Sequence, residues 1–109
     1  MLQKVLQRSI LHLGLFRKNI SFEWDENKNQ QNIKKHHISF TTAAKVFDDI
    51  FRIEIYDNLH SEFEDRYITI GLVQEVVFVV YTMRNNNIRM ISARIANKEE
   101  ERLYYDGQI

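Results

Sequence analysis

Val76 to Tyr81 is an unbroken run of β-branched and aromatic side chains. Such a run, with no polar alternation, predicts a central strand buried on both faces. Its neighbours have a different period. Arg66 to Leu72 alternates, with Tyr67, Thr69 and Gly71 opposite Ile68, Ile70 and Leu72, and Arg52 to Tyr56 alternates as well. Asn85, Asn86 and Asn87 then supply a hairpin turn, because Asn tolerates the left-handed conformation that such turns need. Ile88 to Ile95 reads as the last strand. The second half of the chain is therefore expected to fold as an antiparallel meander.

The segments on either side carry helix signals. Phe22 to Trp24 reads as a short strand. Asp25 is a good N-cap, and the residues after it lack Gly, Pro and β-branching until Ile33, so a helix should run to His36 or His37. Ser39 is the next N-cap. The helix after it should extend to about Phe47, with Phe40, Ala43, Ala44 and Phe47 on one side. Asn97 precedes Glu100 by three residues, the spacing of a capping box, and Leu103 and Tyr104 would pack that last helix down. The expected fold class is α+β, with two short N-terminal helices and a C-terminal helix gathered against one antiparallel sheet.

Residues 1–20 read as a basic amphipathic extension, and residues 21–109 as the domain proper. Leu2, Val5, Leu6, Ile10, Leu13 and Phe16 share a helical face, and Lys4, Arg8 and His12 lie opposite. Charge interrupts the stretch too often for a membrane span, and it has no small-residue cleavage site. A targeting-like segment, an upstream start and an extra helix docked on the core all fit it, the last two better. A cytoplasmic protein without a membrane partner is the expectation.

The 109 residues contain no cysteine, which excludes disulfides, cysteine nucleophiles and thiolate zinc sites. Only three glycines are present, and the chain has no P-loop, dinucleotide fingerprint or nucleophile elbow. His60 stands near Glu62, Glu64 and Asp65, but no metal-ligand spacing supports a site there. Neither a metal nor a cofactor is expected. The formal net charge is zero, which argues against indiscriminate nucleic-acid binding. The charge is nonetheless uneven: residues 43–65 carry −5, and residues 76–98 carry +4 with no acid.

Arg84, Arg89, Arg94 and Lys98 fall on or at the ends of the last two strands. His60 and Arg66 flank the neighbouring strand, and Lys35 and His36 end the first helix. Cleavage of RNA without metal needs a base for the ribose 2′-hydroxyl, cations for the charged phosphorane and an acid for the leaving oxygen. Arginine suits the middle role, since its fork binds two phosphate oxygens. Many small domains contain such a set, and solvated surface charge explains it equally well. Geometry adds a condition. Arg89 and Arg94 are five residues apart, so in a regular strand they face opposite sides, Arg89 with Ile91 and Ala93, Arg94 with Met90 and Ser92. Both serve one site only if the strand bulges or if Arg94 lies past its end.

The run Phe22-Glu23-Trp24-Asp25, followed by Lys28, Asn32 and Lys35-His36, resembles the opening of the BrnT toxins of type II toxin–antitoxin systems. The resemblance continues through Ile38, Phe40, Ala43-Ala44 and Val46-Phe47-Asp48-Asp49. It resumes at Asp57, His60-Ser61, Glu64, Arg66 and Ile70-Gly71. It closes with Thr82, Arg84, Arg89, Ile91-Ser92-Ala93-Arg94, Ala96, Glu101-Arg102 and Tyr104, and so covers about residues 22–105. The chain departs from the pattern at His37, where the family usually has Gly, and at Ile50-Phe51, where Pro is often found. Residues 1–20 have no counterpart.

This resemblance implies a RelE-like fold and a growth-inhibiting ribonuclease that needs no metal. It also implies a BrnA-like antitoxin, a ribbon-helix-helix protein that holds the toxin inactive, as a heterotetramer, and brings operator DNA into the complex. By position, Arg89 and Arg94 become the leading candidates for phosphate stabilisation, followed by His60, Glu64 and Arg66. Lys35, His36, Arg84 and Lys98 are candidates for RNA contact. Trp24 and Tyr104 are first packing residues, and Phe40, Phe47 and Phe78 are core. A non-catalytic antitoxin-binding or RNA-binding protein of the same fold is the alternative.

Overall fold

The structure, a computed structural model, describes residues 21–107. The extension at residues 1–20 lies outside the described residues. The alternating segments pair as the meander requires. Strands β2 (Ile53–Tyr56), β3 (Arg66–Val73), β4 (Glu75–Arg84) and β5 (Asn87–Ile95) are joined antiparallel in sequence order. Asn85 and Asn86 both have positive φ, 50° and 69°, the left-handed pair that closes a two-residue hairpin between Arg84 and Asn87. Gln74, at φ 67°, makes the tight link from β3 to β4.

One expectation for the sheet is corrected. Strand β1 (Ser21–Glu23) pairs parallel with β5, so the five-stranded sheet, ordered β1-β5-β4-β3-β2, is mixed rather than antiparallel. The helical segment after β1 carries the chain away from the sheet before the meander begins, so β1 can reach the free side of β5.

Helix α1 (Glu26–His36) starts at Asp25, whose carboxylate accepts from the backbone N–H groups of Asn27 and Lys28. It ends at His37 in the left-handed conformation, φ 61°. Ser39 caps α2 (Phe40–Ala43) by accepting from Thr42 N–H. The expected helix to Phe47 is shorter than a full α-helix: Ala44–Asp48 continues as a 3-10 turn. Helix α3 (Lys98–Asp106) begins with the reciprocal capping box of Asn97 and Glu100.

The helices occupy opposite faces of the sheet. Val77, Val79 and Tyr81 of β4 pack with Ile88, Met90 and Ala93 of β5 against Phe40, Ala43, Val46 and Phe47. On the other face Ile53, Ile70 and Val76 pack against Tyr104, with Leu103 and Phe78 partly buried beside them. The central strand is thus fully covered on one face only. Phe78 and Val80 are half-buried, because α3 covers part of its face and leaves the hairpin end open. Among the described residues no helix is long and apolar enough to cross a membrane.

The polar residues of α1 explain how it sits. Beyond β1 the edge of β5 has free backbone groups, and Asn32 pairs with them as a strand would. Its Nδ2 donates to Ala93 C=O at 2.8 Å, and its Oδ1 accepts from Ala93 N–H at 3.1 Å. Asn29 accepts from Phe40 N–H at 2.8 Å and so ties α2 to α1.

Candidate functional site

The register of β5 decides where the arginines point. Val80 pairs with Ser92 and Tyr81 with Met90, so Ile91 is an extra residue, a β-bulge. Past the bulge the alternation changes phase. Arg94 lies opposite Phe78 and Arg89 opposite Thr82, and both therefore project from one face together with Ser92. The regular-strand reading, which set Arg89 with Ile91 and Ala93, is corrected: Ala93, Met90 and Ile88 are buried together on the other face.

This open face has a row of polar groups at its hairpin end. Glu23, Arg89, Thr82 and Arg66 lie side by side on β1, β5, β4 and β3. With strands about 4.8 Å apart, Arg66 and Arg89 flank Thr82 at a backbone separation of roughly 10 Å. Arg94 is four β4 residues further along, roughly 13 Å from Arg89. Half-buried Ile68, Val80 and Ser92 make the floor between the three arginines.

Carboxylates hold most of these cations. Arg89 donates to Glu23 at 2.9 Å. The Arg89 hydrogen bond, with a second one from Asn87, keeps the Glu23 carboxyl below its ordinary value. Arg94 donates to both oxygens of Glu100, at 2.8 and 2.9 Å, and its guanidinium lies 4.1 Å from the Phe78 ring centroid. The Glu100 hydrogen bonds raise the Arg94 pKa. Burial pushes the Glu100 carboxyl up, but the hydrogen bonds from Arg94 and from Asn97 N–H outweigh it and leave the group below its usual range. Arg84 bonds Glu64 at 3.2 Å. Arg66 has no carboxylate partner among the described residues.

The loop between β2 and β3 brings His60 to the same end of the sheet. Ser61 Oγ accepts from Arg66 N–H at 2.9 Å and donates to Asp57 C=O at 2.6 Å, which folds residues 57–61 back onto the start of β3. His60 Nδ1 is 3.0 Å from Asp57 Oδ2. Thr82 Oγ1 donates to Asp65 C=O and anchors the far side of the loop.

Lys35 and His36 lie elsewhere. They end α1 and line a shallow groove with Lys28, Gln31 and Asn32, against Ile91 and Ser92 at the bulge. Lys98 opens α3 and is exposed. Trp24 packs edge-on to Phe40, with ring centroids 5.9 Å apart, and Tyr104 is buried. Phe40 and Phe47 are core, whereas Phe78 is the half-buried platform beneath Arg94.

The sequence reading missed the acids that hold the arginines. Glu100 was legible as a capping-box residue, and Glu23 only as part of a short strand. Their second role depends on contacts between elements. A buried polar cluster on the closed face was missed as well. Arg52 ion-pairs with Glu54 and lies over the Phe47 ring, and Tyr81 donates to Glu54 at 2.7 Å. Burial pushes the Tyr81 phenol up to about 12 and the Arg52 guanidinium down to about 10.

Fold and face together define a class: a small α+β domain with one sheet face half open and lined by arginines. A family model described as "ribonuclease toxin, BrnT, of type II toxin–antitoxin system" matches residues 24–100. The chain belongs to this BrnT family. The fold is also similar to the crystal structure of the ribonuclease toxin BrnT from Brucella abortus. That match has a TM-score of 0.55 and 21% identity, and covers 72% of this chain and 99% of the other. Among curated protein sequences none matches significantly.

Proposed function

We propose that this protein is an endoribonuclease toxin that cleaves RNA by attack of a ribose 2′-hydroxyl, without metal, and so inhibits translation and growth. The observation that carries this reading is the bulge at Ile91, which brings Arg89 and Arg94 onto the open face that also holds Arg66. Three guanidinium groups around a shallow floor suit a phosphodiester whose charge grows in the transition state. Arg89, Arg94 and Arg66 stabilise that charge, His60 and Glu64 exchange protons, and Lys35, His36, Arg84 and Lys98 contact flanking RNA. Residues 21–109 form the toxin domain, and residues 1–20 are an extension of it. A BrnA-like ribbon-helix-helix antitoxin would neutralise the toxin in a cytoplasmic heterotetramer and carry the contact with operator DNA.

A second reading has its own observation. Arg84, Arg89 and Arg94 are each already paired with a glutamate, as expected of cations that build a surface for the antitoxin and turn over no RNA. Incubation of the purified protein with RNA in excess chelator separates the two. Cleavage by the parent, lost in Arg89→Ala and in Arg66→Ala of unchanged thermal stability, supports the ribonuclease. Intact RNA with the parent, together with tight antitoxin binding, supports the second reading.

A further inference from the structure

The loop before β3 contains a carboxylate whose position its surroundings do not explain. The Asp57 side chain is only 12% exposed, and its hydrogen-bond partner among the described residues is His60. His60 is 65% exposed. The backbone of Asp57 makes the loop's structural bonds: its N–H donates to Arg66 C=O at 2.9 Å, and its C=O accepts from Ser61. The carboxylate is not needed for either bond. Withdrawing a carboxylate from water is costly unless it is well paired. An exposed imidazole is a poor partner if stability is the purpose.

We propose, on the basis of the ribonuclease reading above, that Asp57 is the positioning residue for His60. Both Asp57 oxygens lie within 3.1 Å of Nδ1. The Nδ1–H therefore donates to the carboxylate, and Nε2 is left as the basic nitrogen, turned away from Asp57. The Ser61 clamp on the Arg66 backbone holds this pair beside the row that carries Arg66 and Arg89. In the reaction Nε2 takes the 2′-hydroxyl proton as O2′ bonds to phosphorus. The P–O5′ bond breaks, and O5′ takes a proton from water through Glu64. The products are a 2′,3′-cyclic phosphate and a 5′-hydroxyl, and His60 returns its proton to solvent. Asp57 stabilises the imidazolium formed on the way and touches no substrate atom.

Two measurements on the full chain test this inference: kinetics on an RNA oligonucleotide, and nitrogen-15 NMR of the His60 ring. Neutral His60 is expected as the Nδ1–H tautomer in the parent and as the Nε2–H tautomer in Asp57→Ala. The same variant should lose roughly tenfold to a hundredfold in kcat with KM nearly unchanged. Asp57→Asn keeps an acceptor for Nδ1–H, so it should retain the parent tautomer and recover part of kcat. In a His60→Gln background Asp57→Ala should cost nothing further, a comparison that holds even if the loop loosens. An active parent whose Asp57→Ala twin keeps its kcat overturns the inference alone. So does a loss of kcat with the tautomer unchanged, or an equal loss in the His60→Gln background. A parent that leaves RNA intact overturns the ribonuclease reading, and this inference with it.

Discussion

Arg94 and Glu100 form a two-pronged ion pair that joins the end of β5 to the first turn of α3. Glu100 Oε1 also accepts from Asn97 N–H at 2.9 Å, so one carboxylate both caps the helix and ties it to the strand. Phe78 supports the guanidinium from below. A phosphate that recruits Arg94 must therefore compete with Glu100 or add to its contacts.

The pair gives stability a pH dependence of known sign. The Glu100 carboxyl is held below its ordinary 4.5 in the folded chain. Its contribution is therefore complete above the unfolded value and lost as pH falls through the folded one. Glu100→Gln should flatten the loss of stability below about pH 4.5, and Arg94→Ala should cost about 1–2 kcal/mol at neutral pH. Urea melts between pH 3 and 7 check both. A Glu100→Gln profile parallel to the parent's would sink the linkage.

Asn32 should be the least replaceable polar residue of α1. Its side chain serves Ala93 N–H, Ala93 C=O and Ile38 C=O while only 7% exposed. Asn32→Ala leaves those groups without partners and should cost about 3 kcal/mol. Chemical denaturation measures this, and a cost below about 1 kcal/mol means that water replaces the amide.

Gly71 lies beneath the 3-10 turn. A Cβ there would sit 2.7 Å from Val46 Cγ2 and 3.0 Å from Arg52 Cβ. Gly71→Ala should destabilise by about 1–3 kcal/mol, read as a lower Tm, because both neighbours belong to the closed core face. An unchanged Tm would mean that the turn lifts without cost.

His37 should show the opposite sign. A side chain at φ 61° carries a steric cost that glycine avoids. His37→Gly should stabilise by up to about 1 kcal/mol, or roughly 4 °C in Tm. Equal or lower stability would show that the His37 side chain makes up for its backbone.

Local chemistry was readable wherever neighbours in the chain act on one another. Asp25, Ser39 and the Asn97–Glu100 box start their helices because each bonds a backbone N–H two or three residues on. Asn85 and Asn86 turn the hairpin through their own φ preferences. The unbroken run at Val76 to Tyr81 marked the strand at the centre of the sheet.

What the sequence left open was decided by packing between distant segments. Arg89 and Arg94 share a face because β5 takes up an extra residue at Ile91 to keep Ile88, Met90 and Ala93 all buried. Nothing in the spacing of two arginines reveals a phase change set by burial on the opposite side. β1 runs parallel to β5 because a free sheet edge was within reach, and Glu23 thereby meets Arg89 across 66 residues of chain. The sequence alone determined the elements and the family to which they belong. The tertiary structure decided which cations face the open sheet and which acids hold them, because a strand's facing depends on the whole of its hydrogen-bonded register.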